Sequence, residues 1–279
     1  MPVTLLGAAE IRALAADLDV TPTKKLGQNF VVDANTVRKI VTAARVTSAD
    51  RVVEVGPGLG SLTLAILETG APVTAVEIDH RLAERLPATA AAHGVPDGAL
   101  TVVAEDALRV SELPGDPDVL VANLPYNVSV PVLLHFMEHF PTIQRGVVMV
   151  QAEVGERLAA PSGSKVYGAP SVKAAWYGTW RLAGTVSRQV FWPVPNVDSV
   201  LVAFERDSDA RGTEEERLRT FAIVDAAFQQ RRKMLRQALS GVLGGSSAAA
   251  SDVLERAGVA PTARGEELTI EDFVRIARA

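Results

Sequence analysis

Arg51-Val-Val-Glu-Val-Gly-Pro-Gly-Leu-Gly-Ser-Leu-Thr63 is the stretch on which the fold turns. Val52, Val53 and Val55 form a short β-branched run of the kind a buried parallel strand needs. Gly56, Gly58 and Gly60 then let the backbone turn sharply, and Ser61 to Glu68 reads as a helix whose amide-rich start faces the same space. Such a strand, turn and helix can hold a nucleoside ligand close to the backbone. The glycines are nevertheless spaced Gly-x-Gly-x-Gly, not Gly-x-Gly-x-x-Gly, and Pro57 removes an amide that would cradle a pyrophosphate. Glu54, near the strand end, would repel a diphosphate and tolerate a sulfonium. A small neutral or cationic ligand is expected.

Outward from this stretch the pattern alternates. Ala8 to Asp17 reads as a helix, residues 21–30 as an irregular arm, and Asp33 as the N-cap of a helix to Arg45 with Val37, Ile40, Val41 and Ala44 on one face. Strands are expected at Val73 to Ile78, Leu100 to Ala104, Val119 to Ala122 and Gly146 to Val150, with helices at Arg81 to Ala92 and Val130 to Phe140 between them. Strands separated by helices imply right-handed crossovers and a mostly parallel α/β sheet with helices on both faces. Trp180 to Phe191 and Val200 to Glu205 read as two closing strands, with an antiparallel hairpin at the sheet edge. Beyond a polar linker from Asp207, the composition gives a small C-terminal all-helical domain with helices at Glu214 to Phe228, Arg231 to Leu243, Ser251 to Ala257 and Ile270 to Ala277. The expected domains are therefore 1–206, with an N-terminal arm over 1–32, and 207–279.

At 279 residues there is ample material for such a core. The absence of cysteine excludes disulfides, thiolate metal sites and a cysteine nucleophile. His135 and His139 have i, i+4 spacing, but Phe136 stands where a zinc hydrolase needs its glutamate, so no metal is expected. No apolar run approaches the length of a membrane span, and no basic stretch followed by an apolar core opens the chain, so a cytoplasmic protein without membrane contact is expected. With a net charge of −5, any nucleic acid must be met by a local patch. Arg231, Arg232 and Lys233 are the candidates for one, alongside Lys24-Lys25.

In an open α/β sheet the ligand lies beyond the carboxyl ends of the strands. The residues there are Glu54 and the glycine loop, Glu77, Asp106, and Asn123-Leu-Pro-Tyr126. Glu77 follows the glycines by roughly 20 residues, where an acid accepts ribose hydroxyls, and Asp106 is placed to accept from an adenine amine. A ribose and an adenine without phosphates suggest S-adenosylmethionine. In Asn123 to Tyr126 the Asn123 side-chain oxygen and the Leu124 carbonyl are two acceptors for the hydrogens of an exocyclic amine, freeing its lone pair for attack. Pro125 fixes the turn, and Tyr126 can stack on a base held outside its helix, with Phe191 as an opposite wall.

With these residues placed, the chain resembles the ribosomal RNA adenine dimethylases, and within them the small-subunit, kasugamycin-resistance branch. The motifs are Leu26-Gly-Gln-Asn-Phe30, Glu54-Val-Gly-Pro-Gly-Leu-Gly60, Val76-Glu-Ile-Asp79, Glu105-Asp-Ala107, Asn123-Leu-Pro-Tyr126, Gly163-Ser-Lys-Val-Tyr-Gly168, Phe191-Trp-Pro-Val-Pro195 and Phe228-Gln-Gln-Arg-Arg-Lys-Met-Leu235. The resemblance implies a Rossmann-like class I methyltransferase sheet followed by a helical domain that helps hold rRNA. It also implies transfer of methyl groups from S-adenosylmethionine to N6 of two adjacent adenines in the 3′-terminal hairpin of 16S rRNA, within an immature 30S subunit, by a monomer. Gln28, Asn29, Val31, Gly56, Gly58, Glu77, Ile78, Asp106, Ala107 and Asn123 would then contact the cofactor, with Gln28 to Val31 over its methionine portion. Two alternatives stay open: the 23S rRNA adenine methylase of the macrolide-resistance type, and a 30S assembly factor acting mainly by binding.

Overall fold

The valine run is buried along its whole length and forms an interior strand of a seven-stranded sheet in the computed structural model, which describes residues 2–20 and 29–279. In chain order the elements are α1 (Ala8–Asp17), β1 (Phe30–Val31), α2 (Ala34–Ala44), β2 (Val52–Val55), α3 (Ser61–Leu67), β3 (Val73–Val76), α4 (His80–Ala92), β4 (Leu100–Val103), β5 (Val119–Asn123), α5 (Ser129–His139), β6 (Arg145–Gln151), α6 (Ala152–Leu158), α7 (Ala169–Ala175), β7 (Gly178–Val186), β8 (Phe191–Trp192), β9 (Ser199–Arg206), α8 (Glu214–Gln229), α9 (Leu235–Ala238), α10 (Ser247–Arg256) and α11 (Ile270–Arg278). The sheet order is β4-β3-β2-β5-β6-β9-β7. β2 runs parallel to β3 and to β5, and β6 parallel to β5, while β9 is antiparallel to β6.

Register explains why both faces are covered. Val52 pairs with Val73 and Val119, and these side chains join Val37, Ile40 and Val41 of α2 and Ile66 of α3 in one core. Strand alternation sends Val53, Val55, Leu120 and Ala122 to the other face, where they are equally buried. Asp33 caps α2 as expected, its Oδ2 accepting the Thr36 amide at 2.7 Å. Among the described residues no helix is long and apolar enough to cross a membrane.

The expected strand from Trp180 to Phe191 is divided. β7 ends at Val186, Ser187 opens a single 3-10 turn over Arg188–Val190, and β8 leaves the sheet to pair antiparallel with β1, Phe30 opposite Trp192. The Val32 amide donates to the Val190 carbonyl at 2.8 Å, extending this ribbon. The two closing strands are neighbours at the sheet edge, β9 against β6 and β7 outermost.

The chain divides into two compact units, Met1–Gly155 with Arg181–Arg206, and Glu156–Trp180 with Asp207–Ala279. The boundary near 207 is where the composition changes, but Glu156–Trp180 groups with the helices after it. Within that second unit the Tyr167 hydroxyl donates to the Leu268 carbonyl at 2.8 Å, and Lys173 pairs with Asp225 at 2.7 Å. Thr213 and Glu216 cap the start of α8 reciprocally.

The expected helix from Arg231 to Leu243 is also shorter. Only Leu235–Ala238 is regular; its start is set by the amides of Leu235 and Arg236, which bond to the carbonyls of Ala263 and Pro261 at 2.8 and 3.1 Å instead of to a preceding turn. Arg231, Arg232 and Lys233 therefore lie in the turn after α8, not on a helix start. Arg231 is committed internally, to Glu266 at 2.7 Å and to the Lys165 carbonyl at 2.8 Å, whereas Arg232 and Lys233 are exposed.

Candidate active site

The glycine loop and three strand ends enclose a cavity of about 240 Å³ whose lining includes Asn29, Glu54, Gly58, Glu77, Asp106 and Asn123. Backbone shape dictates the first wall. Gly58 adopts φ +58°, and a Cβ there would stand 2.9 Å from Cε1 of Phe30. Gly58→Ala is therefore expected to cost about 1–2 kcal/mol from the left-handed backbone alone, and to push Phe30 toward the cavity. Urea unfolding would measure the first effect; ligand titration would reveal the second as weaker binding.

Glu77 ends β3 with its carboxylate already organised. Oε2 accepts the Gly58 amide and Oε1 the Asp79 amide, each at 3.0 Å. Each oxygen keeps a second lone pair, so the group can still receive hydroxyls from the cavity. Burial raises its pKa, the two amides oppose this, and the Asp79 charge adds to it. Asp106 turns the chain after β4, Oδ1 accepting from the Leu108 amide at 2.9 Å, while Oδ2 is unused among the described residues. Glu54 is 1% exposed. Burial, partly offset by the Thr63 hydroxyl and reinforced by the Glu77 charge, pushes its pKa up to about 8. Neither Thr63 Oγ1 nor Glu54 Oε2 closes a hydrogen bond of normal geometry among the described residues.

The Asn123 to Tyr126 turn follows β5. Asn123 Nδ2 donates to the Asn29 carbonyl at 3.1 Å, which fixes the amide and leaves Oδ1 as its acceptor. The Leu124 amide is taken by the Met149 carbonyl at 3.1 Å, and the Leu124 carbonyl has no partner among the described residues. The turn thus presents two unspent acceptors. Tyr126 is held by a 2.8 Å hydrogen bond between its hydroxyl and Ser199 Oγ. Burial holds its phenol above the ordinary value, with Ser199 opposing and Asp198 adding.

Val31, Gly56, Ile78, Ala107 and Pro125 also line the cavity. Tyr126 stands beside this wall and not in it, and Phe191 is 2% exposed, packed in the core with Val31 and Val186. Phe191 stands opposite Val31 on the ribbon. Gln28 lies outside the described residues. Phe30, within the arm expected over the methionine portion, lines the cavity, whereas sequence reasoning missed Leu108: Leu108 is 38% exposed and Ile78 51%, two apolar side chains at the cavity that water would not select. Leu108 carried a weak signal, an apolar residue directly after Glu105-Asp-Ala107. The donor set fits the group the sequence suggests, with acids for hydroxyls and an amine, exposed aliphatic side chains for a flat ring, and a loop that approaches closely. Among the described residues no group of three or more His, Cys, Asp or Glu is arranged to hold a metal ion.

Residues 21–279 match the family model described as ribosomal RNA adenine dimethylase. The chain is 68% identical over 275 residues to the ribosomal RNA small subunit methyltransferase A of Leifsonia xyli subsp. xyli, covering 98% of each protein. With the protein of the same name from Streptomyces coelicolor it shares 61% identity over 279 residues, covering 99% of this chain and 97% of that one. Among solved structures, a dimethyladenosine transferase from Plasmodium falciparum superposes with a TM-score of 0.75 at 26% identity, over 88% of this chain and 94% of that one. The 23S rRNA methyltransferase ErmE gives a TM-score of 0.67 at 25% identity, over 90% of this chain and 98% of that one.

Proposed function

The chain belongs to the ribosomal RNA adenine dimethylase family, and from that premise we propose that it transfers methyl groups from S-adenosylmethionine to N6 of two adjacent adenines in the 3′-terminal hairpin of 16S rRNA. The observation that carries this reading is the pair of unspent acceptors, Asn123 Oδ1 and the Leu124 carbonyl, beside a cavity with acids at three strand ends. Its relatives' names point to the small subunit, and an immature 30S particle is the substrate we assign.

The residues divide the work. Glu77 would take the ribose hydroxyls, Asp106 Oδ2 the adenine amine of the donor, and Ile78 and Leu108 the faces of its ring. When bound, S-adenosylmethionine supplies an electrophilic methyl on a sulfonium, open to in-line displacement. Asn123 Oδ1 and the Leu124 carbonyl accept the N6 hydrogens of the target base, which moves the nitrogen toward a tetrahedral shape and frees its lone pair. Pro125 keeps both acceptors in one turn. Tyr126, anchored by Ser199, offers a ring face to a base outside its helix. No strong base is required, because the proton is lost from a nitrogen that has become cationic. Positioning and exclusion of water do most of the catalysis.

Arg232 and Lys233 are the part of the basic cluster left for RNA, since Arg231 is bound to Glu266. Arg232→Glu with Lys233→Glu should weaken 30S binding and flatten its salt dependence, whereas Arg231→Ala should act on stability. Filter binding across a salt series measures the first, and unchanged slopes would remove the assignment.

The function is tested by methyl transfer from labelled S-adenosylmethionine to 30S particles lacking the modification, with 50S particles and naked rRNA in parallel, followed by nucleoside analysis. N6,N6-dimethyladenosine in the 30S sample alone is the expected result. Label in 50S or its RNA would move the reading to the 23S type, and tight 30S binding without transfer would make the protein an assembly factor.

A further inference from the structure

Glu54 has no evident work in the chemistry above, yet it occupies an expensive place. It lies in β2 beside the glycine loop, 1% exposed, and lines the cavity. Its strand partners are Ala75 of β3 and Val121 of β5, neither of which can pair with it. From β3 it also meets the charge of Glu77; from α3 it meets only the Thr63 hydroxyl. α3 carries no charged residue, and the charged residues of α2, Arg38 and Lys39, are exposed, Arg38 being engaged with Glu68. β5 contributes the neutral Asn123. No cation faces Glu54 from these elements, and its Oε2 has no hydrogen-bond partner among the described residues.

A buried carboxyl beside another acid, with no cation, stays protonated unless something positive arrives. The cavity gives a ligand access to it. We infer that Glu54 is the residue by which the site distinguishes the cationic methyl donor from its neutral-sulfur product: it is an acid in the free protein and ionises against the donor's sulfonium, giving its proton to solvent. This rests on the reading that the cavity takes S-adenosylmethionine. The product, S-adenosylhomocysteine, keeps the ribose, adenine and ammonium but has lost the sulfonium charge, so the same carboxyl has no reason to ionise for it. Loss of the methyl group then returns Glu54 to its acid form and loosens the spent ligand. Burial already holds the group near pH 8, so at neutral pH the exchange involves most of one proton. Contributions from Glu77, which would meet the ribose of either ligand, cancel in the difference between them.

Titration calorimetry of the full chain at pH 7, in buffers of different ionisation enthalpy, reads the proton directly. Close to one proton should be released with S-adenosylmethionine and almost none with S-adenosylhomocysteine, and Glu54→Gln should abolish the release while still binding the product. A pH series on the parent protein needs no variant: donor affinity should rise about tenfold per pH unit toward pH 8, and product affinity should stay flat. Equal release with both ligands would place the exchange on the shared ammonium and overturn the inference, as would binding of both with no release. Failure of either ligand to bind would instead overturn the cofactor reading.

Discussion

Asn123→Ala should lower methyl transfer by about 100- to 1000-fold, the loss typical of removing one preorganised polar group from a reacting centre. The side chain sits at the end of β5, and its amide is already turned by the Asn29 carbonyl, so Oδ1 is an acceptor with a fixed direction. Alanine removes that acceptor together with the hydrogen bond to the Asn29 carbonyl, costing about 1 kcal/mol of stability. The rate should therefore fall far more than the melting temperature. Asn123→Asp is the sharper control: a carboxylate accepts but cannot donate to Asn29, so it tests whether orientation matters beside acceptor chemistry. Single-turnover transfer at saturating donor measures both, and an alanine variant within a few-fold of the parent would show that the turn is not catalytic.

Glu77→Ala should act on binding. The carboxylate holds the Gly58 and Asp79 amides at 3.0 Å, and would hold ribose hydroxyls as well. Hydrogen bonds to charged groups contribute about 1.5–3 kcal/mol each, so losing the ribose contacts and the anchor of the glycine loop should reduce donor affinity by about 100-fold or more. Glu77→Gln keeps the shape, but its NH2 must oppose one backbone amide, so its loss should be smaller than that of alanine. Calorimetry with S-adenosylhomocysteine decides the matter, and affinity unchanged in the alanine variant would remove Glu77 from the site.

Local rules carried the reading wherever local chemistry decides the outcome. The valine run, the glycine turn and Asp33 before α2 are such cases, each set by residues within a turn or two of one another. Glu54, Glu77, Asp106 and Asn123 were legible together because strand ends in a parallel sheet must converge. What failed depended on distant partners. Phe191 reads as an aromatic free to face a base, yet pairing with Val31 draws it into the core. The segment from Arg231 to Met234 carries helix formers, but the carbonyls of Ala263 and Pro261 capture the amides just beyond it. Glu156–Trp180 precedes the composition change and still joins the helical unit, through bonds such as Tyr167 to Leu268 that no sequence period announces. Asn29 was named for the cofactor by resemblance; its part in turning Asn123 emerges only from the geometry.

The pairing of Phe30–Val31 with Phe191–Trp192 also imposes a timetable on synthesis. The strand that carries one cavity wall leaves the ribosome early, but its hydrogen-bonding partner is made only after β7, and Glu156–Trp180 of the other unit must be translated in between. Contacts so far apart in sequence form late, after the entropy of the intervening chain has been overcome. A nascent or truncated chain ending before Trp192 can therefore hold the valine strand and the glycine loop while its ligand wall hangs unpaired. The cavity wall is therefore completed only once Trp192 of the 279-residue chain has been made, with the C-terminal helices still to follow.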